Sequence, residues 1–253
     1  MSLCLETPPS FYAMPDASGF DMLAQFEAIR QARQAGFESF LTKEFPAGDV
    51  KSVLVQGDPA GEIVAYARDN NVDLIMMPTH GHGPLRRFLL GSVTAKVLHD
   101  SDAPVWTGAH TTELRSHTNG HYGHILCAVD VDTSDIPVIQ WAAEFARKEG
   151  AGLRLIHAVA GAASRRVESD QLVRAELFKL ARQGIEDLQK AALSSFELIV
   201  RGGKPEIVVH DAVQDLGADL VVIGRGVIQG AFGRLRSHAY SIIRESPCPV
   251  ISI

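Results

Sequence analysis

The run PTHGHGPLRRFLLGSVTAKVL, residues 78–98, concentrates side chains suited to holding an anion. It leaves an aliphatic stretch, crosses a glycine-containing loop and enters a helical pattern at Gly91 and Ser92. Glycines let backbone approach a phosphate, the amide N–H groups of a first helical turn point at it, and the Ser92 hydroxyl adds a donor. His80, His82, Arg86 and Arg87 make the loop locally cationic in a chain whose formal net charge is -6. The same residues also serve structure alone, Gly91 as a tight turn and Ser92 as a helix cap.

A second place for chemistry is HILCAVDVDTSD, which sets Asp130 at the carboxyl end of an aliphatic strand, where open parallel sheets gather their ligands. Asp130 and Asp132 also suit the turn into the helix near Thr133 and Ser134, and for Asp132 that structural role is preferred. Farther on, Gly224-Arg225-Gly226 leaves another aliphatic strand, and a helix begins near Arg236-Ser237. Arg225, Arg234 and Arg236 could hold an anion by charge, with weaker backbone cradling than the first loop.

The elements that must position these residues form a repeat. The segment from Gly57 aligns with that from Gly203 when Pro59 is set on Pro205, which brings Asp73-Leu74 onto Asp219-Leu220. With one deletion in the following loop, Ser92 meets Ser237, Ser101 meets Ser246, and Pro104-Val105 meets Pro249-Val250. Each copy alternates continuous aliphatic strands with helices, the pattern of a parallel sheet covered on both faces. The second copy predicts strands at 125–129, 153–159, 197–200, 220–223 and 250–253, with helices at 134–150, 166–193, 205–216 and 237–245. The first predicts strands at 2–5, 51–55, 74–77 and 105–106, with helices at 21–35, 62–70 and 92–99. Nothing in it stands for the opening strand and helix. The organisation expected is a truncated domain over 1–107, a polar linker over 108–123 and a complete domain over 124–253.

Taken together, these residues resemble the universal stress protein family, whose nucleotide-binding members carry G-x-x-G, nine residues, then G-S or G-T. Gly81, residues 82–90 and Gly91-Ser92 fit that spacing, while Pro78 replaces the first glycine and removes one backbone N–H. The terminal Ala-Pro-Val and Cys-Pro-Val strands extend the resemblance over nearly the whole chain. It implies two tandem Rossmann-like domains of the adenine nucleotide alpha hydrolase type, with strand order 3-2-1-4-5 and strand one missing from the first. It implies phosphate contacts at Pro78, Thr79, His80, Gly81, His82, Gly91, Ser92 and Val93, and ATP or a related adenine nucleotide, with or without Mg, as ligand. In the second domain the implied site is Asp130, at the adenine end, with Gly224, Arg225, Gly226, Arg236 and Ser237, although Val227 and Arg236 depart from the glycine pattern. The resemblance also implies that the domains pair through their last strands, around Val105-Trp106 and residues 250–253. Because strand one is central in that order, its absence predicts either sequence upstream of Met1 or another segment in the gap.

Composition narrows the rest. A pI near 5.9 gives no general attraction to nucleic acid or anionic membrane, and no apolar run or basic amino-terminal flank suggests a span or leader, so the cytoplasm is expected. Cys4, Cys127 and Cys248 read as reduced thiols in strands, and the linker histidines His110, His117, His121 and His124 match no metal spacing. No nucleophile, base or carboxylate pair is arranged for catalysis, and no G-K-[ST] follows a glycine loop. The favoured reading is a non-enzymatic stress-response regulator that holds nucleotide and meets a protein partner. The alternatives are a nucleotide-independent interaction module and a weak ATPase.

Overall fold

The computed structural model describes residues 2–6, 19–45, 50–79, 90–108, 121–163, 171–226 and 237–253. The chain forms two compact units, residues 1–66 and 67–253, so the division falls inside the first sequence repeat.

In the first unit β1 (Ser2–Glu6) and β2 (Ser52–Gln56) pair in parallel, Ser2 opposite Ser52 and Glu6 opposite Gln56. Helix α1 (Gly19–Glu44) joins them, as a parallel pair requires. Helix α2 (Pro59–Asp69) starts with proline in the first turn, where its missing N–H costs nothing.

The second unit is built on a seven-stranded sheet. The remaining elements of the first repeat are β3 (Ile75–Met77), α3 (Ser92–Asp100) and β4 (Val105–Thr107). The second repeat supplies β5 (His124–Ala128), a 3-10 turn (Thr133–Asp135), α4 (Ile136–Glu149), β6 (Gly152–Val159), a second 3-10 turn (Ala160–Ala163) and α5 (Gln171–Ala191). It ends with β7 (Glu197–Gly202), α6 (Pro205–Leu216), β8 (Leu220–Ile223), α7 (Ser237–Glu245) and β9 (Val250–Ser252). The sheet order is β3-β4-β9-β8-β5-β6-β7. The second copy thus runs 3-2-1-4-5 in its own strands, with β5 at the centre.

That central strand explains the continuous aliphatic runs. Ile125 and Cys127 face one side with α4 residues Ile139 and Ala142 and α5 residues Ile185 and Leu188, while Leu126 is buried as well. Both faces are dry, so no polar alternation is tolerated. Gly150 at φ 70° and Gly217 at φ 63° end α4 and α6 in the left-handed region that a side chain disfavours.

Between the copies, β4 and β9 pair antiparallel: Val105 faces Ser252, Trp106 faces Ile251 and Thr107 faces Val250. Since Val105 and Val250 are repeat equivalents, the register is self-complementary and a twofold axis passes at the Trp106–Ile251 pair. The hydroxyls obey the same symmetry: Thr107 Oγ1 donates to Val250 O at 3.2 Å, and Ser252 Oγ donates to Val105 O at 3.4 Å. At the far end β3 is an edge strand, and β1 and β2 stand as a separate two-stranded sheet. Among the described residues no strand joins β1 to β3.

Candidate functional site

In the first copy the loop after β3 is closed at its base. Gly91 N–H donates to Thr79 O at 2.8 Å, and the Thr94 hydroxyl donates to Pro78 O at 2.9 Å. These bonds bring Pro78, Thr79, Gly91, Ser92 and Val93 together at the head of β3. The first intrahelical bond of α3 runs from Ala95 N–H to Gly91 O at 2.8 Å, so the N–H groups of Ser92, Val93 and Thr94 precede the helical ladder. Gly91 is the N-cap, at φ -59° and ψ 143°, and makes no side-chain capping bond. A helix start in this state carries partial positive charge and outward donors, which is what an anion needs. Ser92 is exposed beside it, whereas Thr79 is only 2% exposed and contributes its carbonyl to the loop base. His80, Gly81 and His82 lie outside the described residues.

The second copy has its crevice at the carboxyl ends of β5 and β8. Between them lies a cavity of about 90 Å³, lined among others by Asp130, Asp135, His157, Ile223, Gly224 and Ile242. That is several-fold below the roughly 300–1,000 Å³ of ordinary small-molecule clefts. Asp130 is largely solvent-facing, with its Oδ1 accepting Val131 N–H at 2.9 Å. His157 Nδ1 lies 2.9 Å from Val129 O, an acceptor only, so Nδ1 carries the proton and donates. Asp132 accepts Ser134 N–H at 2.8 Å and so sets the turn, the structural role preferred for it.

Asp135, which no motif in the sequence singles out, is 5% exposed in this crevice. It stands at the N-cap of α4 without capping it. Instead its Oδ2 accepts Asp130 N–H, and its Oδ1 lies 2.7 Å from where a Cβ on Gly224 would be. Burial pushes the neighbouring Cys127 thiol far above its ordinary pKa, and the Asp135 charge adds to that.

Arg225 requires a correction. Sequence groups it with the second loop's phosphate ligands, but its side chain is buried, 3% exposed, and bonded to the first copy. Nη1 donates to Leu98 O at 3.1 Å and to Ser101 O at 2.7 Å, and Nη2 donates to Ala103 O at 3.0 Å. The carbonyl end of α3 is electronegative and short of donors, so a guanidinium fork outcompetes water there. The Arg225 N–H is also engaged, with Ile253 O at 2.9 Å. Gly226 adopts φ 77°, Ser237 opens α7, and Arg236 lies outside the described residues.

Two further anchors went unread. Asp219 accepts Gly123 N–H at 2.7 Å and His124 N–H at 3.0 Å, fixing the start of β5. Trp106 Nε1 donates to Tyr122 Oη at 2.9 Å, and burial raises the Tyr122 pKa. A signal for the first was present, since Asp219 aligns with Asp73 across the repeat.

A family model described as the universal stress protein family matches residues 6–107 and 121–253. A universal stress protein of Methanocaldococcus jannaschii is 48% identical over 56 residues, 22% of this chain and 35% of that protein. One from Synechocystis is 43% identical over 54 residues, 21% of this chain and 19% of that protein. The chain therefore aligns with well under two thirds of these relatives' length. Among solved structures, a universal stress protein from Archaeoglobus fulgidus superposes with a TM-score of 0.61 at 20% identity, covering 96% of this chain and 81% of that one. A Pseudomonas aeruginosa protein of the same description gives 0.61 at 20% identity, covering 99% and 91%. At that identity the superpositions speak for the fold.

Proposed function

The chain belongs to the universal stress protein family, and from that premise we propose that it is a non-enzymatic stress-response regulator whose first copy holds the phosphates of ATP or a related adenine nucleotide. The observation that supports this reading is the open start of α3. Ser92, Val93 and Thr94 place N–H groups ahead of the first helical bond, no side chain among the described residues caps them, and the Thr79 and Pro78 carbonyls close the loop base beside them. Backbone donors fixed by a rigid strand and helix need no reorganisation to receive an anion. Bound phosphate would neutralise the helix start and stiffen the loop, altering the surface that a protein partner meets.

Titration calorimetry of the full chain with ATP and magnesium tests the proposal, with Gly91→Asp as the control. An aspartate at the N-cap supplies its own carboxylate to the same N–H groups, so it competes with phosphate while supporting the helix. The expected result is measurable binding by the unmutated chain and at least tenfold weaker binding by Gly91→Asp, with no loss of melting temperature. No heat of binding at millimolar ATP, or equal affinity in both proteins, overturns it.

A second reading, a nucleotide-independent interaction module, draws on Arg225. The second copy uses its loop cation to join the two halves. Under that reading Gly91→Asp leaves stress survival in cells unchanged.

A further inference from the structure

We propose that the second copy is closed to anionic ligands by its own side chain, the Asp135 carboxylate occupying the position at the head of β8 that a ligand phosphate would otherwise take. The crevice lies between adjacent parallel strands where the sheet order reverses, β8 on one side of β5 and β6 on the other, which is where such sheets collect ligands. Two features there suit an anion: Gly224, whose missing side chain opens the backbone to close approach, and the Asp130 N–H at the end of β5. Asp135 takes both. Its Oδ2 accepts the Asp130 N–H, and its Oδ1 fills the space over Gly224, 2.7 Å from the position of an added Cβ.

The carboxylate is held there by the fold. Asp135 is buried, the Asp135 N–H donates to Asp132 O at 3.0 Å, and the positive end of α4 lies at its own backbone. Asp130 places a second carboxylate at the mouth, 61% exposed. A phosphate entering the remaining 90 Å³ would meet the buried Asp135 carboxylate, where water screens poorly, with the solvated Asp130 carboxylate a lesser deterrent at the mouth.

The inference rests on the nucleotide reading only for the choice of probe. The experiment uses the full chain carrying Gly91→Asp, which silences the first loop, with Asp135 unmutated or replaced by Asn or Ser. Asparagine is isosteric and keeps an oxygen for the Asp130 N–H; serine is a second route should the asparagine chain melt early. Each is titrated with ATP and with adenosine. Expected is at least a tenfold gain in ATP affinity on removing the carboxylate, with adenosine changed less than twofold. The proposal is overturned if the Asp135 chain already binds ATP as tightly as the variants, if folded variants gain nothing, or if ATP and adenosine gain alike, since that would report space and not charge. A gain here with no ATP binding by the chain mutated nowhere would sink the first-copy reading and leave this one standing.

Discussion

Replacing Arg225 with methionine tests the join between the copies most directly. The substitution keeps an unbranched chain of similar length and removes the donors to Leu98 O, Ser101 O and Ala103 O. Ala103 O keeps its bond from the Ser101 hydroxyl at 3.1 Å, so the loss falls on Leu98 O and Ser101 O, at about 1–3 kcal/mol for each. Against that, methionine relieves the several kcal/mol spent desolvating the guanidinium. The difference should be a loss of about 1–3 kcal/mol, which for a unit of this size lowers the melting temperature by about 2–12 °C. Lysine should recover less than half, because a single ammonium does not span carbonyls that the fork reaches with two nitrogens. Urea denaturation followed by far-UV circular dichroism measures the loss, which should persist in about 1 M salt because the contact is buried. A methionine variant within about 0.5 kcal/mol of the unmutated chain, the scatter of neutral surface changes, would refute the reasoning.

Further outcomes follow from buried groups. The Ser134 hydroxyl is buried with no hydrogen-bond partner among the described residues, so Ser134→Ala should raise stability by about 1 kcal/mol in the same denaturation assay. Because burial holds the Cys127 thiol far up in pKa, it should stay unreactive to a thiol-specific disulfide reagent at pH 8 until urea unfolds the chain. Burial also raises the Tyr122 pKa, so the folded state favours the neutral phenol: that stability is complete below about pH 10 and is lost as pH rises through the higher folded value. Tyr122→Phe should lose about 1 kcal/mol near neutrality and flatten the alkaline decline in melting temperature. Thr107→Val removes one of two symmetric hydroxyl bonds across the β4–β9 pair and should cost about 1 kcal/mol.

Much of the architecture was legible because it is local. Strands buried on both faces announce themselves as aliphatic runs, and Pro205 and Gly217 mark the ends of α6 in the sequence. Boundaries failed where one local signal was overridden. Gly36 reads as the end of a helix near residue 35, yet α1 continues to Glu44, since an internal glycine costs only about 1 kcal/mol against eight further residues of helical ladder. Position 193 was expected inside the long helix, but Leu193 adopts φ 53° just past the end of α5. The site was legible in kind but not in direction. The glycine and serine at the start of α3 declare a turn and open N–H groups by type alone. Whether Arg225 serves its own loop or the facing copy depends on the β4–β9 pairing, which brings the end of α3 within reach and leaves no mark on neighbouring residues. Asp135 reads as one more acid at a helix start, and only the meeting of β5, β8 and Gly224 gives its carboxylate a place.

The axis between β4 and β9 carries a consequence for how such a chain can diverge. In a dimer of identical chains, whatever stands on the twofold faces its own copy, so every substitution there happens twice and must suit itself. Here Trp106 faces Ile251, a large ring against a branched aliphatic, a pairing that no identical pair could make. A covalent connection of this kind holds the halves at roughly millimolar effective concentration, so the seam need not be tight to stay closed. Each half is thereby free to accept changes that its twin never sees. A cation can leave one loop to grip the neighbour while the opposite helix start stays open, and the two crevices can come to prefer ligands of different charge.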